Sequence, residues 1–144
     1  MADITITKVT SAQDMEKCFH IRTKVFIDEQ KVPIEEEMDG LDGEAEHYLL
    51  FVDGVACGTA RVRLLEKVAK IERVAVLKSF RGKDAGVRLM RYIMDDIGKK
   101  PDVETLKLGA QIQVVGFYKK LGFHCYGEEF LDAGIRHRWM ERDS

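Results

Sequence analysis

Residues Val74 to Gly86, Val-Ala-Val-Leu-Lys-Ser-Phe-Arg-Gly-Lys-Asp-Ala-Gly, run from an apolar strand through a tight loop into the start of a helix. A helix start offers unpaired backbone N–H groups and the positive end of the helix dipole, and a loop glycine lets a phosphate approach the main chain. The neighbourhood carries the matching charge, with ten Lys or Arg and three Asp or Glu between Arg61 and Arg91. Loop, strand and charge together point to phosphate binding. Two common ligand classes do not fit. Gly-x-x-x-x-Gly-Lys-Ser/Thr of the nucleotide P-loop is absent, and no Gly-x-Gly-x-x-Gly follows a first strand, as a dinucleotide fold needs. A third kind of phosphate-bearing ligand is expected.

A second group has the opposite sign. Between Asp28 and Glu46 stand nine acids and the single base Lys31, a local balance of −8 in a chain whose formal net charge is −2. Such a run is either a solvated face or a surface that attracts a cation, and Glu29, Glu37 and Asp39 are its candidate contacts. Arg22 falls inside the apolar stripe of the preceding helix. It either snorkels and packs by its stem or points into a cleft, where it would organise those carboxylates. Imidazole is the side chain whose ordinary pKa lies near neutral pH, and His47 and His137 are either satisfied structural residues or direct contacts at a substrate site. Gln111 is open in the same way, as an amide contact or a structural residue. The near-zero total excludes an overall pull toward nucleic acid or an anionic membrane.

These groups need a scaffold. With 144 residues, 45% hydrophobic and 33% charged, and two prolines, the composition is that of one folded domain over 1–144 and not of a disordered chain. No stretch approaches the roughly 20 apolar residues of a membrane span, and Met1 to Thr7 lacks the features of a signal peptide, so a cytoplasmic location is expected. Cys18, Cys57 and Cys125 are odd in number and lack Cys-x-x-Cys or metal spacing, so they read as buried small hydrophobes; no metal site is expected. Ile4 and Ile6 suggest a first strand, Ser11 an N-cap, and the spacing of Met15, Cys18, Phe19, Val25 and Phe26 a helix over 12 to about 28. Residues 30–46 read as a loop with one short helical turn. Asp53-Gly54 joins strands at 48–52 and 55–65, and a third strand is predicted at 71–77. A helix over 86–97, a strand over 104–108, a helix over 112–120 and strands near 125–130 and 136–141 complete a β-α-β-β-β-α-β-α-β-β order. Glu72 alternates onto the face of Val74 and Val76 and is expected to point where they do.

Here the chain resembles the GNAT family of acetyl-CoA-dependent N-acyltransferases. Arg81-Gly-Lys-Asp-Ala-Gly86 matches the family's Arg/Gln-x-x-Gly-x-Gly/Ala motif, with Asp84 where the motif has its first glycine, and Gly116-Phe-Tyr-Lys-Lys-Leu-Gly-Phe123 matches a second block. Arg22 to Gln30, Glu37-Met-Asp39, Glu46-His47, Leu108-Gly-Ala-Gln111 and Phe130-Leu-Asp-Ala-Gly-Ile-Arg-His137 are similar to the ElaA and YjcF branch, which usually has proline where Arg136 stands. The resemblance implies the mixed α/β GNAT fold, a mostly antiparallel sheet of about seven strands flanked by helices. It further implies acetyl-CoA as cofactor, an amine acceptor that is a small molecule or a peptide, and a monomer or homodimer with neither nucleic acid nor membrane as partner.

By the same resemblance, Val74, Ala75 and Val76 hold the pantetheine arm. Arg81, Gly82, Lys83, Asp84, Ala85, Gly86 and Val87 hold the pyrophosphate through backbone amides. Tyr118 is the general acid on the departing thiolate, or else a core aromatic touching the cofactor, and the Val74 N–H serves the oxyanion. Glu72 is the candidate general base, acting directly or through water, or else an ordinary ion-pair partner of an arginine. Arg22, Glu29, Glu37, Asp39, His47, Gln111 and His137 fall to the acceptor. The alternative function is a non-catalytic acyl-CoA-binding or regulatory module of the same fold.

Overall fold

In the computed structural model, which describes residues 2–82 and 84–144, seven strands form one sheet in the order β1-β2-β3-β4-β5-β7-β6. They are β1 (Ile4–Lys8), β2 (Glu46–Val52), β3 (Val55–Leu65), β4 (Val68–Val76), β5 (Thr105–Gln111), β6 (His124–Asp132) and β7 (Ile135–Asp143). Every neighbouring pair is antiparallel except β4 and β5, which are parallel. The connection between those two carries α3 (Ala85–Gly98), as a parallel crossover requires.

Turn chemistry sets the hairpins. Asp53 and Gly54 both take positive φ, 50° and 81°, which gives the two-residue turn that matches strand twist. Ala133 and Gly134 do the same between β6 and β7, at 53° and 75°. A third hairpin escapes the sequence reading. Strand β4 begins at Val68 rather than Ile71, because Glu66 adopts a φ of 57° and turns the chain within two residues without any Gly or Asn to announce it.

Helix α1 (Ala12–Arg22) starts at Ser11, whose side chain accepts from the Asp14 N–H at 3.1 Å. The helix predicted to continue to residue 28 instead widens into a π-helical turn, Thr23–Glu29, with Gln30 N–H donating to Val25 O at 3.1 Å. Wide turns of this kind are often found at functional sites, and this one carries Phe26, Glu29 and Gln30 to the sheet's cleft. The acidic segment folds as α2 (Ile34–Glu37) and one 3₁₀ turn, Asp42–Glu44.

Each face of the sheet is covered. Leu89, Met90, Ile93 and Ile97 of α3 pack on Leu50, Val62, Ile71 and Leu106, following the three-and-four spacing read from sequence. On the other face Cys18, Ile21 and Val25 pack on Leu49 and Ala75.

Strand β4 changes face halfway. Arg61 pairs with Glu72 and Thr59 with Ala75, so Ala60 on β3 faces two residues, Arg73 and Val74, on β4. This is a β-bulge, and Arg73 sits in it at a φ of 55°. Ile71, Val74 and Val76 therefore all join the α3-side core, while Ala75 packs on the α1 side. Glu72, next to Ile71, lies on the face opposite to Val74 and Val76. The expectation that it shares their face is overturned, because the extra residue breaks the period of two.

On the α1 side an ionic network ties the acidic segment to the sheet. Arg22, 1% exposed, donates to Glu37 at 2.6 Å and Asp42 at 2.7 Å. Arg61, 0% exposed, donates to Asp39 at 2.9 Å, Asp42 at 3.1 Å and Glu72 at 3.1 Å. Removing one partner of a buried pair strands the other, so Arg22→Leu is expected to cost about 3 kcal/mol in urea unfolding. Arg22→Leu with Glu37→Leu is expected to recover half or more of that loss, since Asp42 keeps Arg61; a double variant no more stable than the single one would contradict this account.

Candidate active site

Parallel pairing of β4 with β5 lasts from Val68↔Thr105 to Ile71↔Leu108, and beyond it the register records no further pairs. The bulge at Arg73 falls where the strands part, and between their free edges lies a cleft of about 700 Å³. Glu72 to Val76 form one wall and Leu108 to Gln111 the other, with the π-helical turn, the start of α3 and α4 (Val115–Lys120) around the rim.

At one end lies the glycine loop. Gly82 takes φ +80° with open space around its Cα, and Asp84 takes φ 59°, a left-handed conformation that aspartate tolerates better than most non-glycine residues. Asp84 makes no side-chain cap to α3, so the first-turn amides of Ala85, Gly86 and Val87 are not satisfied by a capping carboxylate. All of them border the cleft, as do Val74, Ala75 and Val76. Backbone donors, a left-handed glycine and absence of a cap suit a diphosphate. Lys83 lies outside the described residues.

Arg81 is committed elsewhere. It donates through Nε to Val76 O at 2.9 Å and through both terminal nitrogens to Glu29, each at 2.7 Å. Glu29, expected at the acceptor, thus sits at the glycine-loop end. The hydrogen bond from Arg81 holds its carboxyl below the usual range.

Tyr118 also borders the cleft, 7% exposed, edge-on to Phe117 and Phe123. Burial raises its phenol well above the ordinary value of 10.0, so it stays protonated at neutral pH. Beyond it stands an aromatic stack. Trp139 lies on Phe130 at 4.5 Å and Phe130 on His137 at 5.5 Å, all bordering the cleft. Gly109 makes room for this stack, since a Cβ there would meet Phe130 at 3.2 Å and Trp139 at 3.4 Å.

His137 Nδ1 lies 2.7 Å from Ile135 O. A carbonyl can only accept, so Nδ1 carries the proton and Nε2 of the neutral ring keeps its lone pair. Gln111 donates to Gln30 at 2.8 Å across the cleft.

Of the residues expected at the acceptor, Glu29, Gln111 and His137 line this cleft, and the other four do not. Arg22 is buried in the ionic network, not aimed into the cleft. Glu37 and Asp39 are held by Arg22, Arg61 and Arg73 and so are not free to meet a cationic amine. His47 Nε2 donates to Asp42 O at 2.9 Å, and burial lowers its pKa, so it is a neutral structural residue. The expected contacts Glu37 and Asp39 fail for one reason: the sequence shows nine acids together but not the distant arginines, Arg61 and Arg73, that neutralise them.

Glu72 borders the cleft but is bound by Arg63 at 2.6 Å, Arg61 at 3.1 Å and Lys70 at 3.3 Å. Burial pushes its carboxyl up, and these three cations outweigh that and hold it below 4.5. Phe26, Gln30, Phe130, Asp132 and Trp139 also line the cleft and were given no site role from the sequence. Alternation of Phe130 with Asp132 next to the Ala133-Gly134 turn is the one local signal that would have found two of them.

A match to the model of the acetyltransferase (GNAT) domain spans residues 7–144. Among curated proteins the chain is similar to the uncharacterised N-acetyltransferase YjcF of Bacillus subtilis, 38% identical over 132 residues, covering 91% of this chain and 94% of that one. Among solved structures it is similar to an acyl-CoA N-acyltransferase from Pseudomonas aeruginosa, with TM-score 0.85 and 28% identity over 99% of both chains. It is also similar to Escherichia coli ElaA, with TM-score 0.87 and 26% identity over 97% of this chain and 99% of that one.

Arg61 also fixes how this wall responds to acid. Its hydrogen bonds hold Asp39 far below 3.8; in Asp42 the upward push of burial is outweighed by Arg22 and Arg61. A carboxyl depressed in the folded state adds stability that is complete above its unfolded pKa and is lost as pH falls toward the folded one. Urea unfolding at pH 7 and pH 3 is therefore expected to differ by at least about 2 kcal/mol, less stable in acid, and Asp39→Asn to shrink the difference. A pH-independent unfolding free energy over that interval would contradict the network's electrostatic role.

Proposed function

The chain belongs to the GNAT family of acetyltransferases, and from that premise we propose that it moves the acetyl group of acetyl-CoA to a primary amine by direct attack in a ternary complex. The observation that carries this reading is that an uncapped helix start with a left-handed glycine and a protonated, buried tyrosine border the same cleft. The cofactor supplies a thioester, and the protein supplies binding, orientation and proton transfer.

The amides of Gly82 and Asp84 to Val87 hold the diphosphate, and the edge of β4 at Val74 to Val76 lies along the pantetheine arm. The Val74 N–H donates to the oxygen that gains negative charge as the amine adds. The acceptor reaches the thioester as a neutral amine, its first proton lost to solvent, and His137 Nε2 takes a second proton from that nitrogen as it adds. The C–N bond forms, the C–S bond breaks, and Tyr118 gives its proton to the departing sulfur. Products are an acetamide and free CoA thiol, and a proton returning from His137 to Tyr118 by way of solvent resets the site.

Glu72 is the weaker choice as base. Its carboxylate already answers three cations, so a proton placed there would break those pairings, whereas the Nε2 lone pair of His137 has no such partner among the described residues. A positioning role suits Glu72 better, since Arg61 and Arg63 hold it beside the bulge that opens the cleft.

Two variants test the roles. Tyr118→Phe is expected to lower kcat for thiol release about 100-fold or more while acetyl-CoA affinity stays within a few-fold; unchanged kcat would remove the acid role. Glu29→Gln frees Arg81 for the cofactor and is expected to tighten acetyl-CoA binding by about two- to fivefold at low salt. Because the pair is about one-third exposed or more, the gain should shrink as salt screens it.

A further inference from the structure

The cleft adjoins a chamber of about 70 Å³ beside the β6–β7 turn. A water in the liquid takes about 30 Å³, so this chamber suits a functional group of a few heavy atoms and not a long chain. Gln30, Arg73, Gln111 and His137 border both spaces, and a ligand reaching from one into the other meets the atoms on them that lack partners.

Two of these residues have donors left over. Gln113 Nε2 donates to Gln111 Oε1 at 2.6 Å, and Gln111 Nε2 donates in turn to Gln30 Oε1 at 2.8 Å. This chain of amides orients its last member: Gln30 Oε1 already accepts, and Gln30 Nε2 keeps two N–H groups with no partner among the described residues. Arg73 is the second. Its Nη2 donates to Glu36 O, Glu37 O and Asp39, each at 3.2 Å, whereas Nη1 has no hydrogen bond among the described residues. Arg73 is also the bulge residue, held at a φ of 55°, and a non-glycine residue kept in that region at a conformational cost is common at ligand sites. His137 is the complement of both, since its Nε2 accepts.

Charge narrows the kind of oxygen these donors meet. Glu36, Glu37 and Asp132 line the chamber against the single guanidinium of Arg73, and Glu36 and Asp132 have no ion pair among the described residues. A carboxylate brought here would sit among like charges, whereas a neutral carbonyl offers a lone pair to each donor. The same carboxylates stabilise an ammonium ion and so oppose the proton loss that precedes attack. Amines differ in how much that matters. An α-amine beside a carbonyl has an ordinary pKa of about 8 and a lysine-type amine one of about 10.4, so the α-amine has on the order of 100-fold more unprotonated form at neutral pH.

On the acetyl-transfer reading above, we infer that the acceptor is an α-amino amide, a primary amine one carbon away from a neutral carbonyl, as in an amino-acid amide or the first residue of a peptide. Its nitrogen meets His137 Nε2 and attacks the thioester, while its carbonyl oxygen accepts from Gln30 Nε2 and Arg73 Nη1. Gln30 and Arg73 select the substrate and take no part in proton transfer. Gln111 positions Gln30.

Thiol release from acetyl-CoA by the whole chain tests this, with glycinamide, glycine and propargylamine, an amine of similar size and basicity to glycinamide that has no oxygen. Rates are compared per unprotonated amine. Glycinamide is expected to exceed propargylamine by about tenfold or more in kcat/KM, chiefly through KM, and to exceed glycine by a similar factor. Gln30→Met keeps the length of the side chain without its N–H donors and is expected to lower the glycinamide-to-propargylamine ratio about fivefold. A poorly folded fraction lowers both rates alike and leaves that ratio unmoved. Glycylglycinamide at least as good as glycinamide identifies a peptide N-terminus as the source of the group, and a poorer one identifies a free amide. Equal kcat/KM for glycinamide and propargylamine, glycine as good as glycinamide, or a ratio unchanged in Gln30→Met overturns the inference while acetyl transfer stands. Absence of thiol release with every amine, alongside acetyl-CoA binding in calorimetry, overturns both readings.

Discussion

Four rungs of parallel pairing join β4 to β5, and the strands part at the point where β4 carries one residue more than β3 can match. That extra residue governs the molecule. An unbulged β4 would keep Glu72, Val74 and Val76 on one face; the bulge returns the valines to the α3-side core, leaves Glu72 with Arg61, and bends the strand where it leaves its parallel partner. A split between parallel strands exposes main-chain donors and acceptors that an intact sheet would use up. Those unpaired edges, together with the start of α3, give the cleft its polar lining.

Charge is distributed in a way that follows from this geometry. Most of the nine acids between Asp28 and Glu46 are exposed, and Glu29 borders the cleft. Glu37, Asp39 and Asp42 are instead folded over the α1 side of the sheet and neutralised by Arg22, Arg61 and Arg73, arginines from α1, β3 and the bulge itself. Two of these guanidiniums are almost completely buried, so the network holds the wall of the cleft in one geometry because any unpaired member would be a bare charge in a dry place. What the network leaves along the cleft is main chain, the amide donors where α3 starts.

Much of this was legible in the residues. Ser11, Asp53-Gly54 and the three-and-four spacing of Leu89, Met90, Ile93 and Ile97 are local signals, and each element they announce is present. The glycine loop was legible for the same reason, since strand, turn and helix start are contiguous. Glu66 carries no turn signature and hid a hairpin. The π-helical turn hid inside a helical pattern, because a wide turn changes hydrogen bonding without changing residue types.

The sequence by itself determined the family, the order of elements and the glycine loop at the start of α3, all of which depend on residues near one another in the chain. Tertiary structure decided which charges are spent and which are free. Glu37 and Asp39 read like substrate contacts until Arg61 and Arg73 arrive from strands more than twenty residues away. An ion pair is a matter of distance in space, falling steeply as charges separate and as water enters between them, and no spacing along a chain encodes it.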